Sequence, residues 1–179
     1  MELSGKDKLL NMVYYLPRFE KYLGEQDAGF MMIFAETMLL LHRVVVVSDT
    51  YFQSMGTSKG RFLILIRLLL SDTPAGESIS ALRPFYPISY AAMSGVLDTL
   101  EKDGMIERCA NPEDRRRVNI RLTDKGRDFI LDFLPVHLEN VKIIGSGLKE
   151  DEVALLSGSL KKLICGFEKV TRVQSGKVE

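Results

Sequence analysis

The stretch 88–123 leaves the chain few shapes to choose from. Ser89 can cap a helix through its hydroxyl, Ala92, Val96 and Leu100 recur at helical spacing with Met93 and Leu97 widening the stripe, and Gly104 can take the left-handed conformation that closes a helix. A short strand, Met105-Ile-Glu-Arg108, follows at once. After a charged loop, Val118, Ile120 and Leu122 alternate with Asn119 and Arg121, the period of a half-buried strand. A helix running straight into a hairpin tipped by Arg115, Arg116 and Arg117 is suited to nucleic acid. The helix fits a major groove, and the arginines can reach phosphates or the narrow minor groove.

Net charge gives no such hint, since 24 Lys and Arg balance 24 Asp and Glu. The distribution does: Arg108, Arg115, Arg116, Arg117, Arg121, Lys125 and Arg127 face only Glu113, Asp114 and Asp124 within 108–127. A chain of 179 residues, 46% hydrophobic and 27% charged, fits one soluble domain or a small domain with helical extensions. Cys109 and Cys165 stand far apart and in no CxxC, which argues against a disulfide framework or a zinc site and for a reducing, cytoplasmic setting. Residues 1–8 are too polar for a signal peptide. Residues 30–47 are very apolar, but Glu36, His42 and Arg43 would be costly in a bilayer, so a buried helix of a soluble protein is expected.

The remaining pattern is helical. A helix is expected over 6–23, kinked at Pro17, then a break over 24–29. The long helix expected over 30–55 is apolar on most of its circumference and needs cover on every side, part of it from a second subunit. Thr57 can cap a helix over 58–70 with Phe62, Leu65, Ile66 and Leu69 inward. A turn at 71–76 leads to a short helix over 80–86, with Leu82, Phe85 and Tyr86 available for burial, and residues 87–89 turn into the helix described first. That order is a helix-turn-helix with the hairpin as its wing. Thr123 can cap a helix to about residue 144, bent at Pro135. A last helix over 150–170 carries Val153, Leu156, Leu160, Leu163, Ile164 and Phe167 on one face. The expected class is therefore mainly α (α+β): a winged helix-turn-helix with a two-stranded β-wing at 57–126, between an N-terminal extension with a long dimerisation helix at 1–56 and C-terminal dimerisation helices at 127–179.

Three motifs sharpen this reading. Asp114-x-Arg116 is followed after five residues by Leu122-Thr123 and then Asp-Lys-Gly126; Leu97-Asp98-x-Leu100-Glu101-x-x-Gly104-x-Ile106 precedes it; Leu148-Lys-Glu-Asp-Glu152 opens the last helix. Over 57–163 the chain resembles the MarR family of bacterial transcription regulators. The resemblance implies a winged helix-turn-helix dimerised through its terminal helices. It also implies sequence-specific binding to double-stranded DNA at an inverted repeat, usually repression, often relieved by a small ligand or by oxidation. No cofactor is implied, and neither effector nor operator is specified. Where the family often has Thr and Arg on the recognition helix, this chain has Ala92 and Gly95. Gly95 costs roughly 1 kcal/mol of helix stability relative to Ala and presents no side chain. Ser89, Tyr90, Ala91 and Ser94 remain as groove contacts, so either the target sequence differs from the common ones or base readout is sparse and leans on the wing and on DNA shape. On the wing, Arg116 is expected in the minor groove, Arg115 and Arg117 on phosphates, and Asp114 bracing an arginine.

Competing readings attach to several of these residues. Ser89 also serves as a plain helix cap, and Tyr90 as an ordinary exposed aromatic. Cys109, beside Arg108, is the only position for a redox thiol, whereas Cys165 is expected in a core; His42 and His137 are isolated and read as structural. The alternatives to a DNA-binding regulator are a winged-helix interaction module that has lost DNA binding, and a cysteine-based redox-sensing regulator. An enzyme is not expected: the chain has no Gly-rich phosphate loop, nucleophile elbow or metal-spaced cluster, and Glu150, Asp151 and Glu152 suit a helix dipole.

Overall fold

The computed structural model describes residues 20–22, 24–71, 73, 75–111 and 118–174, in two compact units that divide between Arg127 and Asp128. The helix expected over 6–23 lies outside these residues except for 20–22, which are helical. The first unit runs α1 (Glu25–Ser54), α2 (Lys59–Leu69), β1 (Glu77–Ser78), α3 (Ile79–Leu82), α4 (Tyr90–Lys102), β2 (Ile106–Ala110) and β3 (Val118–Leu122), then the first turn of α5 (Asp124–Gly145). The second holds the rest of α5 and α6 (Glu150–Gln174).

Local chemistry explains most boundaries. The break expected over 24–29 shrinks to Gly24, whose φ of 78° is left-handed; α1 starts at Glu25 and runs through Gly29. Ser58, not Thr57, caps α2, accepting from the Arg61 N–H at 3.3 Å. Ser78 caps α3 through the Ala81 N–H at 3.2 Å. That helix stops at Leu82, short of the expected 86, because Pro84 has no N–H with which to extend it. Ser89 caps α4 by accepting from the Ala92 N–H at 3.2 Å, and Gly104 follows it with φ 70°, both as expected.

The core of the first unit is built from Ile64, Leu65, Leu82, Met93, Leu97, Leu100, Ile106 and Ile120, all fully buried. On α4 the buried line is Met93–Leu97–Leu100; Ala92 is exposed and Val96 half-buried, so the helix sits about one residue round from the expected stripe. On α2, Ile64 and Leu68 join Phe62 and Leu65, while Ile66 and Leu69 are only half-buried. Phe52 at the end of α1 meets Phe62 with ring centroids 5.2 Å apart.

The sheet has a strand that alternation does not reveal. Its order is β1-β3-β2, all antiparallel, with Glu77 opposite Ile120, and Ile106 opposite Leu122 at the base of the hairpin. Ile120 is buried as alternation expects, but the segment leading into β1 also buries a residue on the other face of β3. Val118 is exposed and Asn119 is buried, its amide donating to the carbonyls of Ala75 at 3.0 Å and Gly76 at 3.3 Å. A buried amide with satisfied hydrogen bonds is tolerated where an unpaired one would not be.

In the second unit Ile130 and Phe133 are buried, and Phe133 stacks on Phe129 at 6.0 Å and on His137 at 5.5 Å. Burial lowers the His137 pKa from its ordinary value, since desolvation disfavours the charged ring. His42 and Cys165 are exposed, the latter against the expectation of a core position.

Gly126, in the first turn of α5, shows the tightest backbone approach: a Cβ there would lie 2.0 Å from the Met105 carbonyl oxygen. Thr123 donates its N–H to the same carbonyl at 3.1 Å, and its Oγ1 accepts the Gly126 N–H at 3.1 Å. Gly126→Ala is therefore expected to cost about 3 kcal/mol through forced backbone movement. Urea unfolding checks this, and wild-type stability would refute it.

Candidate nucleic-acid interface

Because α4 buries Met93, Leu97 and Leu100, its first turns present Ser89, Tyr90, Ala91 and Ala92 to solvent, Tyr90 being 60% exposed. Gly95 continues this side, and a Cβ added there would meet nothing within 4 Å. Ser94 is half-buried and lines an open groove of about 560 Å³ with Tyr90, Ser78, Ser80, Arg108 and Val118. The groove is open and mixed in character, with Ile79 and Val118 beside the serines, and Tyr90 and Arg108 are its two long side chains. The Ser89 hydroxyl accepts the cap bond and keeps its own proton to donate outward. The remaining expected site residues, Asp114, Arg115, Arg116 and Arg117, lie outside the described residues.

The charges at the hairpin base are more ordered than a count of residues implies. Arg108 on β2 spans back to α4, donating from Nη2 to Asp98 Oδ1 at 2.6 Å and from Nη1 to Glu101 Oε2. The hydrogen bond to Asp98 is the main cause that raises the Arg108 pKa above its ordinary value. Arg121 pairs across the sheet with Glu107 at 2.7 Å, and Lys125 donates to the Asp103 carbonyl at 2.7 Å. So the basic run over 108–127 is not a uniform patch: Arg108 and Arg121 are already engaged by carboxylates. Arg108 is the residue that sequence reasoning passed over as a site. Its signal was available, as two acids one helical turn apart shortly before a strand carrying a single arginine. Cys109 is half-buried, its thiol directed at two acceptors, the carbonyls of Ala75 at 3.5 Å and Asn119 at 3.6 Å.

A second pair holds the helix-turn-helix frame. Glu77 on β1 is buried and accepts from Arg67 Nη2 at 2.7 Å and from the Ser71 hydroxyl at 2.6 Å. The Arg67 guanidinium also lies 4.4 Å from the ring centre of Phe85, a cation–π contact that fixes the turn after α3.

The model of the MarR family matches residues 61–118. The chain is 29% identical over 145 residues to the HTH-type transcriptional repressor YetL of Bacillus subtilis, covering 77% of this chain and 86% of YetL. It is 32% identical over 139 residues to the transcriptional repressor MprA of Escherichia coli, covering 75% of this chain and 77% of MprA. The chain belongs to the MarR family. Among solved structures, a cysteine-to-serine mutant of Escherichia coli MarR complexed with operator DNA superposes with a TM-score of 0.60 at 26% identity, over 69% of this chain and 90% of that one. In MarR terms α2, α3 and α4 with the β2–β3 hairpin form the winged helix-turn-helix, and β1 makes its sheet three-stranded.

Two stability measurements test this frame. Glu77→Ala leaves Arg67 without its carboxylate in a mostly buried setting and is expected to cost about 3 kcal/mol in chemical denaturation. Gly95→Ala is expected to add up to about 1 kcal/mol, since the site is helical, exposed and open; a loss of stability there would mean the glycine is structurally required.

Proposed function

We propose that this protein is a cytoplasmic, homodimeric transcriptional repressor that binds an inverted-repeat operator and is released by a small ligand. The observation that carries this reading is the rotation of α4, which buries Met93, Leu97 and Leu100 and turns Ser89, Tyr90 and Ala91 outward beside the hairpin. Membership of the MarR family, and a MarR relative solved with operator DNA, support it. In this reading Ser89, Tyr90, Ala91 and Ser94 enter the major groove. Arg116 reaches into the minor groove, Arg115 and Arg117 bind phosphates, and Asp114 steadies the arginine fork. With few long side chains on α4, DNA shape and the wing supply much of the selectivity.

Exposed apolar surface supports the dimer. Ile33, Leu40 and Val44 on α1 and Leu155 and Ile164 on α6 are all about half exposed or more. A second copy packed through the segments 1–56 and 127–179 would cover such residues. α1 is also long and apolar enough, over Asp27–Ser54, to cross a membrane. Glu36, His42 and Arg43 lie within it, and cover by a partner subunit accounts for its apolar surface without that cost.

The test pairs light scattering with fluorescence anisotropy on the duplex upstream of the protein's own gene. A dimer that binds it with roughly nanomolar affinity, weakening steeply with salt, is expected. Arg116→Ala is expected to abolish binding at physiological salt while the dimer persists. A monomer would overturn the reading, and unchanged binding by the variant would remove the wing from it. A dimer that binds no genomic fragment would favour an interaction module.

A further inference from the structure

Arg108 is the one arginine at the described base of the wing that reaches the recognition helix, and it does so by gripping two acids of that helix at once. Asp98 and Glu101 lie one turn apart on α4, 61% and 38% exposed at their side chains, and Arg108 is 30% exposed between them. Arg108 also lines the groove shared with Tyr90 and Ser94. Tyr90, Ser94, Asp98 and Glu101 follow one another at spacings of four, four and three, so they form a single stripe along α4. Two carboxylates on a helix aimed at a polyanion are unfavourable for binding, and one guanidinium shared between them leaves a net negative charge.

We propose that the Arg108–Asp98–Glu101 cluster is a specificity device: it holds Arg108 away from DNA phosphates and fixes α4 against the hairpin. This rests on the DNA-binding reading and adds a positioning role for Arg108 to it. A free arginine beside the groove would bind phosphates on any sequence and raise non-specific affinity. Held by the two acids of α4, the same arginine contributes no such contact. The cluster joins strand to helix, so base contacts by Ser89, Tyr90 and Ser94 keep one geometry relative to the wing. The acids also repel phosphates wherever the helix is out of register with the groove.

The test compares the full-length wild type with Asp98→Asn/Glu101→Gln, which keeps side-chain shape and removes both charges. The probes are a mixed-sequence 30-base-pair duplex and the duplex most enriched from a random pool by the wild type. Binding is measured across a salt series, with melting curves to confirm folding. For the double variant the slope of log affinity against log salt on the mixed duplex should steepen by about 0.9, one added phosphate contact. Its non-specific affinity near 0.1 M salt should rise roughly fivefold, and the ratio of enriched to mixed affinity should fall. Arg108→Lys, whose single ammonium cannot fork, should also lower that ratio without steepening the slope. A folded double variant with wild-type slope and ratio overturns the proposal. A wild type that binds neither duplex overturns instead the DNA-binding reading beneath it.

Discussion

Burial of Met93, Leu97 and Leu100 sets the rotation of α4 about its own axis, and that rotation decides what the rest of the molecule can offer a partner. Each of these side chains is fully buried, and together they contribute on the order of 6 kcal/mol as an upper figure for area removed from water. Turning the helix by one residue, about 100°, would bring Ala92 and Val96 inward in place of Met93 and Leu97. Much of that apolar gain would be lost, so the outward set is fixed by the inward one. Tyr90, Ala91, Ala92 and Gly95 face solvent because the larger apolar residues claim the core.

The hairpin depends on the same packing but is held by polar closure. Ile106 and Ile120 contribute apolar surface to the core. Beyond them, Asn119 bonds the Ala75 and Gly76 carbonyls, and Glu77 is clasped by Arg67 and Ser71. Each of these bonds is shielded enough that losing one partner strands the other, which costs more than the bond itself contributes. β1 is only two residues long, yet it is the point where both networks meet. A short strand held by its neighbours' side chains can orient a wing more firmly than its own ladder would.

Much of this was legible in the sequence. The capping Ser89, the closing Gly104 and the hairpin after it came from local chemistry that tertiary packing does not override, and the family motifs fixed the fold. Periodicity places the rotation of α4 one residue off because Ala92 counts as apolar yet has little surface to bury. Met93 and Leu97, at the margin of the periodic stripe, are the centre of the buried line. Asn119 looked outward by alternation; its burial follows from β1, and two residues carry no period to detect. Thr57 and Ser58 are both good caps by type, and only the backbone chooses between them. Cys165 lies beside an apolar stripe that is exposed in the single chain, so the pattern that suggests burial does not deliver it there. The clasp of Arg108 was hidden for another reason: a count of charges weighs residues by number, whereas the fold pairs them by distance.

The neutrality of the chain fits this arrangement. A protein that searches along DNA gains little from a uniformly basic surface, because each unselective phosphate contact adds affinity for every site equally and improves no ratio between them. Pairing Arg108 with Asp98 and Glu101, and Arg121 with Glu107, keeps the base of the wing from acting as a general anchor. In the proposed function, selectivity then comes from the small, shallow face of α4 and from how readily a given sequence bends to meet it. A recognition helix with alanine and glycine where longer side chains would stand is weak as a reader of base edges. It tolerates close approach, and in the proposed function its selectivity rests on geometry, so that the rigidity supplied by the buried line of α4 and the clasp of Arg108 matters more than the number of positive charges.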